Sequence, residues 1–219
     1  MPGAEFPVFT YAAIAVTTIA SIVGFSNKSV MEKSVFSVGA ILRDSQFYRF
    51  LTSLFFHVNW MHLIFNMISL YSFAVSIEQI LGSWLVASLY LASGLAGGVL
   101  ALIIKRKDPN YAAVGASGAV CGVIFASVFL LPGGSVMILP IPVPIPTWAY
   151  ALLFVAISIY GIGKGTSFIG HEAHLGGALC GVAGAVLYRP EILQQQYLLL
   201  AGVTLPVLAL LVYFIFAKK

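Results

Sequence analysis

The chain has 219 residues, of which 60% are hydrophobic and only 8% charged, and its mean hydropathy is +1.01. A soluble domain carries about 25% charged residues, so this composition excludes a water-soluble globular protein and predicts an integral membrane protein. The formal net charge of +4 is small, and the basic residues form no stripe of the kind that binds nucleic acid. We therefore expect the lipid bilayer as a partner, and no nucleic acid.

The apolar residues fall into seven runs, and a helix needs about 20 such residues to cross the hydrocarbon core. No basic segment precedes the first run, and no small-residue cleavage site stands out near it. We therefore interpret this run as a retained span and not as a signal peptide. The sequence therefore predicts an all-α fold, a polytopic membrane helical bundle. The predicted spans are 8–25, 57–77, 83–104, 113–131, 147–163, 172–188 and 197–216.

Three connections between the spans have a distinctive composition. Residues 26–56 mix apolar pairs with charges, which indicates amphipathic pieces at or partly inside the membrane interface. Residues 140–146 carry proline at every second position, so they are predicted to be a rigid, non-helical linker. Residues 161–170 contain four glycines and are predicted to form a mobile loop.

Few polar side chains lie inside the predicted spans, and such residues are costly in a bilayer unless they have a function. Ser117 lies among small residues, which serve helix packing or leave room for a substrate. His62 and Asn66 are four residues apart and share one helical face, and His174 lies near the start of the sixth span. Counted along three parallel helices, all four lie within about 14 Å of one membrane face, so they can meet in one cavity.

These side chains are the ones needed to activate Ser117 as a nucleophile. A serine needs a base within hydrogen-bond reach, and a neutral imidazole such as His174 can accept its proton. The small-residue pairs Gly118-x-x-x-Gly122 and Gly177-x-x-x-Gly181 permit close helix contact, which would bring the serine to the histidine. Glu172, two residues before His174, faces another side of the helix. The sequence therefore predicts a Ser-His dyad without a third member, and His62, Asn66 and the Ser117 N–H as donors to an oxyanion.

Over roughly residues 48–188 the chain resembles the rhomboid family of intramembrane serine proteases. The resemblance is carried by an ordered set of motifs: Tyr48-Arg49, His57-x-x-x-x-His62-x-x-x-Asn66, Glu78-x-x-x-Gly82, Gly115-Ala-Ser-Gly118, and Ala173-His-Leu-Gly-Gly177 with Gly181. It implies a six-span catalytic core in residues 1–192 and an additional transmembrane helix in 193–219. The implied activity is cleavage of single-pass membrane proteins in or near their transmembrane segments, with no cofactor.

The resemblance also implies a role for each matching residue. Ser117 would be the nucleophile and His174 the general base, with His62 and Asn66 stabilising the oxyanion. The implied structural supports are Arg49, Glu78, Gly115, Gly118, Gly177 and Gly181.

The chain departs from the family pattern at residue 121 and in its distribution of charge. Many relatives carry an aromatic residue four positions after the serine, packed on the catalytic histidine, where this chain has Cys121. Ten Lys and Arg lie on the predicted active-site side and only Arg189 on the other, which by the positive-inside rule makes the active-site face cytoplasmic. Family precedent places that face outside the cytoplasm, in a plasma or inner membrane, and we expect that orientation.

Other readings of the same residues predict different behaviour. His57, at the interface, is expected to be a structural hydrogen-bonding group. His171 and His174 are three residues apart, one short of the spacing in the H-E-x-x-H zinc motif, so no metal site is expected. A rhomboid-like binding protein without catalysis would have lost the serine or the histidine. A transporter with proton-carrying histidines would place polar groups at several depths and would not depend on Ser117.

Overall fold

The structure is a computed structural model that describes residues 6–138, 141–164 and 170–216. Its elements follow one another in the order α1 (Val8–Ser26), α2 (Lys28–Ser34), β1 (Phe36–Ser37), α3 (Val38–Asp44), α4 (Arg49–Thr52), α5 (Trp60–Leu81), α6 (Ser83–Lys105), β2 (Ala112–Ala113), α7 (Ser117–Leu130), β3 (Ser135–Ile138), β4 (Ile141–Pro146), α8 (Thr147–Lys164), α9 (His171–Tyr188), α10 (Ile192–Gln195) and α11 (Tyr197–Phe216). The predicted all-α membrane bundle is confirmed, with a helix in each of the seven predicted spans. By length and composition, three helices of the described chain are long and apolar enough to cross a membrane, namely α1, α5 and α6.

The fourth predicted span, 113–131, is longer than the helix that the structure has there, α7. Strand β2 and the turn at Gly115, whose φ of 137° is unfavourable for other residues, delay the start of α7 to Ser117. The helix therefore has 14 residues and a length of about 21 Å, against a hydrocarbon core of about 30 Å. Every residue of α7 after Ser117 is buried, so α7 is the central helix and is enclosed by protein.

Helix α1 packs small side chains against the bundle and exposes its large apolar ones. Its buried residues are small or hydroxyl-bearing, and they recur with a helical period: Thr10, Ala13, Thr17, Ser21 and Gly24. Its large apolar side chains point outwards, and Ile19, for example, is 63% exposed. Since lipid is as apolar as leucine, helices in a membrane associate through small residues and leave large apolar ones on the outside.

Glycines set the distance between α7 and α9. A Cβ atom at Gly177 would overlap the backbone carbonyl of Gly118, and one at Gly181 would overlap that of Gly122. The two helices are therefore in backbone contact at both small-residue pairs. Helix α6 approaches α9 in the same way, since a Cβ at Gly97 would lie 2.5 Å from the Ala173 carbonyl oxygen.

The segment between α1 and α5 contains the short helices α2, α3 and α4, and Arg49 holds two of them together. Its guanidinium donates through Nη1 to the carbonyl oxygens of Glu32 (2.8 Å) and Val35 (2.7 Å), and through Nε to Gln46 Oε1 (2.7 Å). The residue is only 7% exposed. A buried guanidinium needs several acceptors, and here they are two backbone carbonyls at the end of α2 and the side-chain oxygen of Gln46.

The same segment is joined to the chain that leads into α7. Strands β1 and β2 pair antiparallel, with Phe36 opposite Ala113. Beside them the Val38 N–H donates to the Tyr111 carbonyl and the Gly39 N–H to the Pro109 carbonyl, both at 3.1 Å. The approach to Ser117 is thus hydrogen-bonded to the first loop.

The proline-rich segment is a β-strand and not a plain linker. Strand β4 pairs antiparallel with β3, with Ser135 opposite Pro146 and Met137 opposite Pro144. Alternate residues of a strand turn their N–H away from the partner, so a proline at every second position costs the hairpin no hydrogen bond. The segment is non-helical, as predicted, although residues 139–140 lie outside the described part.

The predicted mobile loop at 161–170 also needs correction. Residues 161–164 are the last turn of α8, residue 170 precedes α9, and residues 165–169 lie outside the described part. Gly161 serves helix packing, because a Cβ there would overlap the ring of His171.

The segment after α9 contacts the C-terminal end of α7, the end opposite Ser117. Arg189 Nη1 donates to the Leu130 carbonyl (3.3 Å), and Gln196 Nε2 donates to the Phe129 carbonyl (2.9 Å). The last carbonyls of a helix have no partners within the helix, so these two side chains cap α7. Helix α11 then packs on α8, where a Cβ at Gly202 would lie 2.9 Å from Leu152.

Glu78 joins α1 to α5 and α6. Its carboxylate accepts from the backbone N–H groups of Phe9 (2.8 Å) and Thr10 (3.0 Å), and from the hydroxyls of Thr10 and Ser83, both at 2.5 Å. The carboxylate therefore caps the start of α1, where the first N–H groups lack helical partners and the helix dipole favours negative charge.

We expect Glu78→Ala to lower the free energy of unfolding by about 2–4 kcal/mol, because it leaves buried N–H and hydroxyl groups without an acceptor. Thermal unfolding in detergent micelles would measure the loss. The matched control is Glu32→Ala, since the Glu32 side chain is 65% exposed. An equal loss in both variants would show that the Glu78 cap contributes nothing specific.

Candidate active site

The backbone before α7 places Ser117 at the first position of the helix. The Gly115 N–H donates to the Ser53 carbonyl (2.9 Å), and its positive φ turns the chain into α7. A Cβ at Gly115 would lie 2.6 Å from His62 Cε1. Glycine is therefore required at this position both for its conformation and for the space that the imidazole occupies.

Ser117 and His174 are in hydrogen-bond contact. His174 Nε2 lies 2.7 Å from Ser117 Oγ, and both residues are half-buried. His174 lies one turn into α9, where its N–H donates to the Gly170 carbonyl. The backbone contact between α7 and α9 fixes this distance, since a Cβ at Gly118 would already lie 3.2 Å from the Ala173 carbonyl oxygen.

His62 and Asn66 lie on α5 and face the same site. Asn59 caps α5 by accepting from the His62 N–H (2.8 Å), and Asn66 Nδ2 donates to the His62 carbonyl (2.9 Å). An amide nitrogen carries two hydrogens, so Asn66 has a second donor for another acceptor. The first N–H groups of a helix lack intrahelical partners, which makes the Ser117 N–H a further donor at this position.

These groups share one cavity of about 940 Å³. The cavity is lined by Ser117, His174, His62 and Asn66, and its remaining walls are mainly apolar side chains and glycines. It is large enough for a short stretch of extended peptide, and it brings a hydroxyl, imidazole rings and hydrogen-bond donors to one place. The four residues predicted to meet are thus together in the structure.

His57 is fully buried and supports the turn before Ser117. The Ala116 N–H donates to His57 Nε2 (3.3 Å), and His57 Nδ1 lies 3.0 Å from Ser21 Oγ, which itself donates to the Phe55 carbonyl (3.1 Å). Since Nε2 is an acceptor, a neutral ring carries its proton on Nδ1 and donates to Ser21. This chain of bonds ties α1 to the backbone beside Ser117, a structural role in agreement with the one expected for His57.

An aromatic ring does pack on His174, although Cys121 is not aromatic. The ring of Phe154, on α8, lies 5.9 Å from that of His174 between centroids, at an interplanar angle of 34°. Phe125 supports Phe154 from α7 with an edge-to-face contact at 5.4 Å. Nothing in a single sequence singles out Phe154, because it is one of many apolar residues on α8.

The remaining candidates lie outside the cavity. Arg49 and Glu78 do not line it and act through the loop and helix ends described above. The rings of His171 and His174 are 6.1 Å apart, and no group of three metal-binding side chains occurs within the described residues. Glu172 is turned away from His174 and binds Lys105 (2.9 Å) and Tyr111 (3.3 Å), two residues that the sequence did not indicate.

Comparison with known proteins gives consistent matches. A model of the Rhomboid domain matches residues 44–191. The chain is 27% identical over 191 residues to rhomboid protease GluP of Bacillus subtilis (strain 168), covering 84% of the chain and 36% of that protein. It is 36% identical over 135 residues to the mitochondrial presenilin-associated rhomboid-like protein of Rattus norvegicus, covering 60% of the chain and 36% of that protein. With the mitochondrial RHOMBOID-like protein 12 of Arabidopsis thaliana the identity is 30% over 151 residues, which is 62% of the chain and 45% of that protein. The chain thus spans less than half the length of these relatives.

We expect Phe154→Ala to slow the reaction of Ser117 with a fluorophosphonate probe about tenfold, because a base that loses its packing partner leaves its reactive orientation. Adding Cys121→Phe to that variant is expected to restore part of the rate by supplying a ring from α7. The control is Phe47→Ala, which removes an exposed ring. Equal labelling rates for Phe154→Ala and the wild type would contradict the role of this ring.

Proposed function

Because this chain belongs to the rhomboid family, whose members are generally intramembrane serine proteases, we propose that it is an intramembrane serine endopeptidase. It cleaves single-pass membrane proteins in or near their transmembrane segments through a dyad of Ser117 and His174. The observation that carries the proposal is the 2.7 Å contact between Ser117 Oγ and His174 Nε2 in the lining of a cavity of about 940 Å³. The reaction needs no metal and no cofactor.

In the first half of the reaction His174 Nε2 accepts the proton of the Ser117 hydroxyl, and Oγ attacks the scissile carbonyl carbon. The carbonyl oxygen becomes an oxyanion, which the His62 ring, the Asn66 amide and the Ser117 N–H stabilise as donors. Support for this assignment comes from the position of all three groups along the same cavity.

In the second half His174 returns its proton to the leaving amine, which departs with the C-terminal part of the substrate. The remaining acyl group stays bound to Ser117 Oγ. A water molecule, deprotonated by His174, then attacks this ester and frees the serine. We infer that the substrate helix enters laterally and unwinds, because a carbonyl in an intact helix is hydrogen-bonded within the helix and shielded from attack.

The loop predicted at residues 161–170 would act as a mobile cap that admits water. Residues 165–169 of this loop lie outside the described part of the chain. In the described part, α8 extends to Lys164 and α9 begins at His171, so these two helix ends bound the predicted cap. The proposed mechanism does not depend on such a cap.

Two other functions fit the geometry less well. A binding protein that only recognises membrane helices has no use for a hydrogen-bonded nucleophile and base. A transporter with proton-carrying histidines would distribute them through the membrane. The chain has four histidines, and all of them lie within or beside this one site.

We expect purified wild-type protein to cleave a single-pass membrane substrate in detergent, and Ser117→Ala and His174→Ala each to abolish cleavage. His62→Ala and Asn66→Ala are expected to lower kcat about 10- to 1,000-fold through the loss of an oxyanion donor. Gel electrophoresis with mass spectrometry of the fragments measures both the rate and the cleaved bond.

The matched control for Ser117→Ala is Ser127→Ala, which removes another serine hydroxyl from α7, one that is buried and bonds to the Ile124 carbonyl. It should retain wild-type activity. Cleavage that persists in Ser117→Ala, or a wild-type protein that cleaves no membrane substrate, would refute the assignment.

We further propose that the site opens to the extracytoplasmic side of a plasma or inner membrane. Counting every cation favours the reverse orientation, but two cations of this face have internal partners. Arg49 is buried against backbone carbonyls, and Lys105 is paired with Glu172. Arg189, the one cation of the opposite face, likewise has an internal partner, so these contacts do not reverse the count of Lys and Arg, and the proposed orientation rests on family precedent.

The orientation is testable with Lys107→Cys, at an exposed position next to the site, in a Cys180→Ala background. A membrane-impermeant maleimide added to intact cells is expected to label it, while Glu191→Cys, exposed at the opposite end of the bundle, is labelled only after lysis. The reverse pattern would place the site in the cytoplasm.

A further inference from the structure

Three residues outside the dyad form a cluster that the mechanism above does not use. Lys105 Nζ lies 2.9 Å from Glu172 Oε1, and the Tyr111 hydroxyl donates to Glu172 Oε2 at 3.3 Å. Lys105 Nζ also lies over the Tyr111 ring, 5.4 Å from its centroid. Each member thus contacts both others, and we refer to Lys105, Glu172 and Tyr111 as the charge clamp.

The clamp is shielded from water. The Glu172 side chain is 4% exposed and that of Lys105 23%. Burial and the neighbouring Glu172 carboxylate raise the pKa of the Tyr111 phenol, so the phenol stays protonated and donates its hydrogen. A buried carboxylate that loses its partner is strongly unfavourable, so these contacts strongly oppose any separation of the three residues.

The three residues come from three segments that converge on the dyad. Lys105 ends α6, Tyr111 begins the segment that leads through Gly115 to Ser117, and Glu172 lies in the first turn of α9, two residues before His174. The main chain of Tyr111 is held on its other side, where its carbonyl accepts from the Val38 N–H. The clamp therefore connects the approach to the nucleophile with the start of the helix that carries the base.

We propose that the charge clamp positions the dyad, by holding the segment before Ser117 against the start of α9 so that Ser117 Oγ and His174 Nε2 stay in contact. Its catalytic consequence rests on the proposed protease function, whereas its effect on the segment 111–116 does not. Lys105, Tyr111 and Glu172 are positioning residues, since none of them contacts the reacting atoms.

This arrangement assigns a role to the one carboxylate near the base. In a catalytic triad a carboxylate bonds to the histidine itself and orients the ring. Here the carboxylate of Glu172 acts on the backbone that carries both partners, and the ring of His174 is left to pack against Phe154. Orientation of the base and restraint of the segment before Ser117 are thus provided by separate contacts.

The test uses Glu172→Gln, Lys105→Met and Tyr111→Phe in the full chain. The first two are expected to lower kcat for a membrane substrate, and the rate of Ser117 labelling by a fluorophosphonate, at least about tenfold, with KM changed less than about twofold. Tyr111→Phe removes only one long hydrogen bond and should lower both rates about threefold.

Charge reversal distinguishes positioning by the ion pair from a general effect of the substitutions. The double variant Lys105→Glu with Glu172→Lys restores an ion pair between α6 and α9, and it should recover most of the rate lost in either single variant. The matched control is Lys28→Met with Glu32→Gln, which removes an ion pair of 3.7 Å whose side chains are 90% and 65% exposed. It should change neither rate.

Hydrogen exchange of the backbone amides in residues 111–118 gives a readout without catalysis. Glu172→Gln and Lys105→Met should accelerate exchange there about tenfold, while exchange in α5 stays unchanged. Unaltered exchange in that segment would overturn the proposal whether or not the protein cleaves a substrate. Faster exchange with kcat and labelling within twofold of wild type, after correction for the folded fraction, would also overturn it, because the clamp would then be merely structural. A wild-type protein without activity would refute the protease function separately.

Discussion

The site depends on the backbone contact between α7 and α9. At Gly118–Gly177 and Gly122–Gly181 no side chain separates the helices, so the distance from Ser117 to His174 is set by main-chain atoms that have no rotamers to adjust. A hydrophobic effect cannot drive two helices together inside lipid, and close packing of small residues takes its place. The glycines around Ser117 therefore determine how closely α7 and α9 approach, and with it the separation of Ser117 and His174.

Two buried charged side chains outside this contact have defined partners. Arg49 binds backbone carbonyls in the first loop, and Glu78 caps α1. In a low-dielectric surrounding an unpaired polar group is costly, so each of these bonds also fixes the position of the segment that it reaches. The supports of the site are consequently spread over α1, the first loop and α6, well beyond the cavity.

Much of this could be predicted from the sequence, because a membrane makes polar residues informative. The helical spans followed from hydropathy, and the convergence of Ser117, His62, Asn66 and His174 followed from helical geometry. The start of α7 could not be predicted, since it depends on the pairing of β2 with a strand far away in the sequence. Phe154 was missed for the opposite reason: an apolar residue on an apolar helix carries no distinguishing signal, and only tertiary packing selects it.

Phe154 also links the sequence of α8 to that of α7. Because Cys121 is small, the space beside the His174 ring is filled from α8 instead, with Phe125 behind it. Protein interiors tolerate changes that conserve volume far better than changes that do not. Residues 121 and 154 both line the cavity that contains the His174 ring, so a ring introduced at residue 121 would be accommodated best together with a smaller residue at 154.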